Sequence, residues 1–127
     1  MRRFFRGVSQ LLSRAAPSNL RAALRYSLRG LTRACREHAF RLELALSVPL
    51  LPLALLLGDS GAEKALLAGS WLLVPIVELL NTAVEAVVDL AHPGRHELAA
   101  AAKDLGSAAV LLSLFAAALV WLCILFF

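Results

Sequence analysis

Charge is scarce in this chain: 17% of its 127 residues are Asp, Glu, Lys or Arg, and 7% are aromatic. Soluble domains ordinarily carry about 25% charged residues, so a normal water-facing surface is excluded. There are two cysteines, Cys35 in an Arg-rich stretch and Cys123 near the end of the last apolar run. Such a pair supplies neither a disulfide framework nor a thiolate metal site, and both read as packing residues. The sequence contains no Gly-x-x-x-x-Gly-Lys-[Ser/Thr] loop and no His-Arg-Asp or Asp-Phe-Gly triplet, which removes the soluble nucleotide-dependent phosphotransferase classes. The basic start, Met1-Arg2-Arg3-Phe4-Phe5-Arg6, is not followed by an apolar core and a small-residue cleavage site, so no cleavable signal peptide is expected.

What is present is apolar: 60% of residues are hydrophobic, with a mean hydropathy of +0.74. Three runs approach the ~20 residues that cross a bilayer, expected over about 39–57, 65–89 and 104–127. Together they leave no room for a separate soluble catalytic domain. Pro49 and Pro52 interrupt the first run, and Gly58 to Lys64 forms a polar turn before the second. His92-Pro93-Gly94-Arg95-His96 is turn chemistry before the third.

Ten of the thirteen Lys and Arg residues precede Leu42, a bias that keeps the amino-terminal segment cytoplasmic. From Leu20 to Cys35, Leu20, Leu24, Leu28, Leu31 and Cys35 recur at helical steps beside a stripe of Arg21, Arg25, Arg29 and Arg33. The pattern predicts an amphipathic interfacial helix over about 19–36, with anionic lipid headgroups as its counterions. Aromatic interleaving and nucleic-acid motifs are missing, so nucleic acid is not the expected partner. Residues 1–16 read as a separate basic extension, and 17–127 as one all-α membrane domain.

The second span carries the chemistry. Within Glu78 to Asp89, the polar side chains Glu78, Asn81, Glu85 and Asp89 fall on an arc about 80° wide. A carboxylate meeting lipid costs a few kcal/mol, so this face must meet protein, water or metal. One such Glu is as readily a structural hydrogen-bonding group as a functional one; four polar residues on one stripe favour function. Hard oxygens suit Mg²⁺, and a proton-conducting stripe fits the pattern equally well. Lys103 and Asp104, at the start of the third span, and Glu37, beside Arg36 and Arg41, are expected at a similar membrane depth.

Three ordered segments carry a resemblance. Glu78-Leu79-Leu80-Asn81-Thr82-Ala83-Val84-Glu85-Ala86-Val87-Val88-Asp89 resembles the signature of the small prokaryotic integral-membrane diacylglycerol kinases. Glu37-His38-Ala39-Phe40-Arg41-Leu42-Glu43 and His96-Glu97-Leu98, followed by Ala102-Lys103-Asp104-Leu105-Gly106-Ser107-Ala108-Ala109-Val110, match further family segments. Leu42 stands where many relatives carry Gln, and residues 1–16 have no counterpart. The resemblance implies a bacterial inner-membrane homotrimer of three-span subunits with shared active sites, transferring the ATP γ-phosphoryl group to diacylglycerol. It implies Glu78 as catalytic base and Glu37 and Glu85 as Mg²⁺ and nucleotide-site carboxylates. Tyr26, His96, Lys103 and Asp104 join these on the nucleotide side, and Glu43, Asn81 and Ser107 join Glu78 on the lipid side. Asp89 matches a weaker position. Undecaprenol kinase, of the same superfamily, is the nearest alternative, and a non-enzymatic membrane subunit the alternative from another class.

Three crossings from a cytoplasmic amino end place Phe127 outside. A reporter fused after Phe127 is therefore expected to be active only when it works on the external side; cytoplasmic activity alone overturns the three-span arrangement.

Overall fold

The computed structural model describes residues 17–127, so the basic extension expected over residues 1–16 lies outside the described residues. The described chain is all helical: α1 Pro17–Ala34, α2 His38–Leu57, α3 Gly61–Ala91 and α4 Glu97–Phe126. The stretch through Cys35 forms one unit and Arg36–Phe127 another.

Helix α1 begins at Pro17, whose fixed φ suits a first helical turn. Its Leu20, Leu24, Leu28 and Leu31 side chains are all exposed. Ser27 and Thr32 turn their hydroxyls back to the carbonyls of Ala23 and Leu28, at 3.1 and 2.8 Å, which keeps these weaker helix formers from competing with the ladder. Arg33 lies in the last turn, where a cation complements the helix dipole.

In the second unit, α3 packs against both α2 and α4. All three helices are long and apolar enough to cross a membrane. At 1.5 Å per residue, the 31-residue α3 is about 46 Å long, against a hydrocarbon core of about 30 Å. Set along the bilayer normal, it would extend about ten residues beyond the hydrocarbon. Large apolar side chains such as Val48, Leu56, Leu80, Leu112 and Phe115 point outward; lipid, unlike water, exacts no penalty for that.

The helices run further than the apolar runs alone suggest, and local caps explain why. Ser60 accepts the Glu63 N–H at 3.2 Å and donates to Glu63 Oε1 at 2.9 Å, while Glu63 Oε2 accepts the Asp59 N–H at 2.8 Å. This reciprocal cap starts α3 at Gly61 rather than near residue 65. At the other end of the molecule His96 caps α4 through its Nδ1, which accepts the Leu98 N–H at 3.2 Å. Gly58 closes α2 in ordinary extended backbone, but a Cβ there would lie 2.8 Å from the Lys64 backbone nitrogen. The following helix approaches too closely for a side chain.

Pro49 and Pro52 lie inside α2, and Pro75 inside α3. Each lacks an N–H, and such losses are tolerated in membrane helices where neighbouring groups compensate. Trp71, Val74 and Ala117 form the buried core, with Leu50 and Leu51 packed against it. Two indoles fasten the helices. Trp71 Nε1 donates to Ser47 Oγ at 2.8 Å and Trp121 Nε1 to the Leu67 carbonyl at 3.1 Å. Ser47 in turn donates to the Glu43 carbonyl at 2.7 Å.

Trp71→Phe keeps most of the buried ring but removes the donor. It is expected to destabilise the protein by about 0.5–1.5 kcal/mol, read as an earlier unfolding midpoint in detergent titration; an unchanged midpoint would show the indole bond contributes nothing.

Candidate active site

The functional stripe forms because α3 keeps unbroken helical phase from Pro75 to its end. Glu78 is 7% exposed and Asn81 and Glu85 are half-buried, while Asp89, nearer the helix end, is exposed. Across from this stripe, α2 contributes Glu43, also 7% exposed, close enough to Glu78 for their carboxylates to interact electrostatically. Glu78 is likewise within electrostatic reach of Glu85 and Glu37. Five polar side chains expected from the sequence are thus brought together: Glu37, Glu43, Glu78, Asn81 and Glu85.

Asn81 sits between the two acidic residues of its own helix, with Nδ2 donating to Glu85 Oε1 at 3.4 Å, a long bond. Its Oδ1 is buried without a hydrogen-bond partner, and so is Oε2 of Glu43. Buried acceptors left unpaired cost about 1–3 kcal/mol each, and both invite a donor or a cation. Glu37 occupies the N-cap position of α2 in extended backbone, yet its side chain makes no capping bond. That carboxylate is exposed and has not been spent on the helix.

α4 completes the enclosure through an absence. A Cβ at Gly106 would collide with Asn81 Oδ1, so the missing side chain lets α4 lie directly against the Asn81 carboxamide. Above it, Lys103 Nζ pairs with Asp89 Oδ1 at 2.5 Å, bridging α3 and α4, and is within electrostatic reach of Glu85. Asp104 and Ser107 are exposed on α4 and are not enclosed with the carboxylates. Tyr26, on α1, is exposed and belongs to the other unit. His96 lies at the start of α4, beside an open hollow of about 530 Å³ that Asp89, Arg95 and Lys103 also line.

Among the described residues, no three His, Cys, Asp or Glu side chains converge into a self-sufficient metal site. A structural zinc or calcium centre, which needs four or more protein ligands, is therefore not what this arrangement offers. Pairs of carboxylates within electrostatic reach of one another offer partial coordination, of the kind completed by water and phosphate oxygens.

Four features of the site lay beyond sequence reasoning. The Asp89–Lys103 pair joins residues 14 apart on different helices, and nothing in either helix alone foretells it. Ser47 is an unremarkable serine until Trp71 is placed against it. Gly106 reads as one more small residue in an Ala-rich helix. His92, expected to be only a loop residue, stacks on His96.

A carboxylate cluster carried on helices long and apolar enough to cross a membrane, in a chain without a P-loop, fits the class of integral-membrane phosphotransferases. Comparison with known proteins makes the assignment particular. Residues 25–125 match the family model for prokaryotic diacylglycerol kinase. The diacylglycerol kinase of Haemophilus influenzae is 49% identical over 104 residues, covering 81% of this chain and 88% of that protein. Those of Pseudomonas aeruginosa and Escherichia coli K12 are 48% and 45% identical over 101 residues, each spanning 79% of this chain and 82% of the relative. The chain belongs to the prokaryotic diacylglycerol kinase family and is a membrane protein and a kinase.

The close approach at Gly106 yields a direct test. Gly106→Ala is expected to displace the Asn81 carboxamide and lower turnover several-fold while the protein still folds, and Gly106→Val to do more. Wild-type kcat in both variants would show that the contact is irrelevant to the site.

Proposed function

We propose that the protein transfers the γ-phosphoryl group of ATP to the hydroxyl of diacylglycerol, forming phosphatidic acid at the cytoplasmic face of a bacterial inner membrane. The observation that carries this reading is the burial of Glu78 beside Glu43 within a family whose members are named for diacylglycerol phosphorylation. Diacylglycerol is favoured over a polyprenyl alcohol because the relatives found bear that name.

Glu78 lies eleven residues before Asp89, about 16 Å deeper along α3. A lipid hydroxyl reaching down from the headgroup region meets Glu78, and the carboxylate accepts its proton as the oxygen attacks phosphorus. Asn81 and Glu43 border that position, and Asn81 orients the hydroxyl through its carboxamide. Ser107, on the exposed side of α4, belongs to the lipid side, reached by substrate from the bilayer. ATP approaches from the aqueous end. Lys103, released in part from Asp89, neutralises phosphate charge, with Asp104, His96 and Tyr26 completing the nucleotide contacts.

Glu37 and Glu85 are the Mg²⁺ ligands: both are oxygen donors within electrostatic reach of Glu78, and Glu37 has no capping bond to give up. These two carboxylates would hold Mg²⁺, whose charge would offset that developing on the phosphate. Phosphoryl transfer asks chiefly for positioning and charge neutralisation, which explains how a chain without a P-loop performs it. The exposed Asp104, Ser107 and Tyr26 are supplied to composite sites between neighbours in a homotrimer. α1 lies on the cytoplasmic leaflet, its leucines in the acyl boundary and Arg21, Arg25, Arg29 and Arg33 on anionic headgroups.

Glu78→Gln keeps the shape and removes the base; kcat is expected to fall on the order of 10²–10⁴-fold with ATP affinity retained. Near-normal turnover rejects the base assignment. Glu37→Gln and Glu85→Gln are expected to raise the Mg²⁺ and ATP concentrations required for half-maximal rate, and unchanged metal dependence in both rejects the ligand assignment. Labelled ATP offered with diacylglycerol and with undecaprenol, side by side, decides the acceptor.

A further inference from the structure

Helix α3 stops at Ala91 because Pro93 follows: the residue before a proline is driven out of the helical region, and His92 takes φ −139°, ψ 87°. Helix α4 starts at Glu97 with His96 as its cap. The connection is therefore the five residues His92 to His96, with a histidine at each end. So short a turn brings the two imidazoles face to face, their centroids 4.7 Å apart and their planes 24° from parallel.

His96 is constrained twice. Its Nδ1 accepts the Leu98 N–H at 3.2 Å, so in the neutral ring the proton resides on Nε2, leaving one N–H donor to offer elsewhere. The capping bond is long, and alone it leaves the ring free to rock about its Cβ–Cγ bond. The His92 ring, lying against one face, takes away that freedom. Both histidines border the hollow of about 530 Å³, which Asp89, Arg95 and Lys103 also line. The Asp89–Lys103 ion pair ties the same helix ends together at 2.5 Å, so the turn that carries the two rings is braced on both sides.

We infer that His92 is a positioning residue for nucleotide binding: by stacking on His96 it holds the His96 Nε2–H in the orientation that donates to an oxygen acceptor of ATP in this hollow. The inference rests on the assignment of His96 to the nucleotide side under Proposed function. His92 needs no contact with ATP and no charge of its own. What it supplies is a flat ring, so another flat ring replaces it.

The test uses the purified full chain with Mg-ATP and diacylglycerol in mixed micelles, and the variants His92→Ala, His92→Phe, His96→Ala and the double alanine. Loss of one aromatic pair is expected to raise the KM for ATP about two- to tenfold in His92→Ala. The KM for diacylglycerol is expected to stay near its starting value, with kcat changed less than about twofold. His92→Phe is expected to restore the KM for ATP, and the double variant to be no worse than His96→Ala alone, because His92 acts through His96. If His96→Ala raises the KM for ATP but His92→Ala does not, the inference is overturned while the nucleotide assignment stands. If His96→Ala leaves the KM for ATP unchanged, the assignment itself fails and the inference with it. A fall in thermal stability and in kcat that His92→Phe does not rescue would make His92 a structural turn residue and would also overturn it.

Discussion

The rest of the structure depends on the cost of keeping carboxylates inside an apolar helix bundle. Glu78 and Glu43 are both buried, on facing helices, where an unpartnered charge costs several kcal/mol. A 127-residue chain with so small a core cannot carry that cost for packing alone. Other features of the bundle serve the same face: α3 is central, α4 is admitted closely by Gly106, and polar side chains along α3 share one phase. The buried oxygens of Glu43 and Asn81 that lack hydrogen-bond partners lie on this same face.

The chemistry this permits differs from that of soluble phosphotransferases in where it takes place. A P-loop brings phosphate to a glycine-rich cradle in water; under the proposed function the acceptor stays in the membrane, Glu78 serves as base within the helix and the nucleotide comes to the helix end. The arrangement of α3 expresses that division, with its buried Glu78 on one side of the stripe and its exposed Asp89, paired to Lys103, on the other.

Much of this was legible in the sequence for simple reasons. Helical phase is a property of one segment, so the coincidence of Glu78, Asn81 and Glu85 on one face could be computed from spacing alone. The three long helices follow from apolar length. Their ends did not, because the caps at Ser60 and His96 are decided by single side chains outside the apolar runs. Relations between helices were also out of reach: the Glu43–Glu78 approach, the Asp89–Lys103 bridge and the space left by Gly106 depend on tertiary contact. Asp104, Ser107 and Tyr26, expected at the site, are exposed within the single chain, and the proposed sharing of sites between copies depends on contacts that no single helix pattern encodes.

The bond from the Trp71 indole to Ser47 has a mechanical meaning. Ser47 lies one turn from Glu43 on α2, and Trp71 two turns from Glu78 on α3. Turning α2 by a single residue's worth of phase, about 100°, would carry Ser47 away from the indole and Glu43 away from Glu78 together. The bond therefore acts as a rotational index, setting the angle at which one acidic helix presents itself to the other.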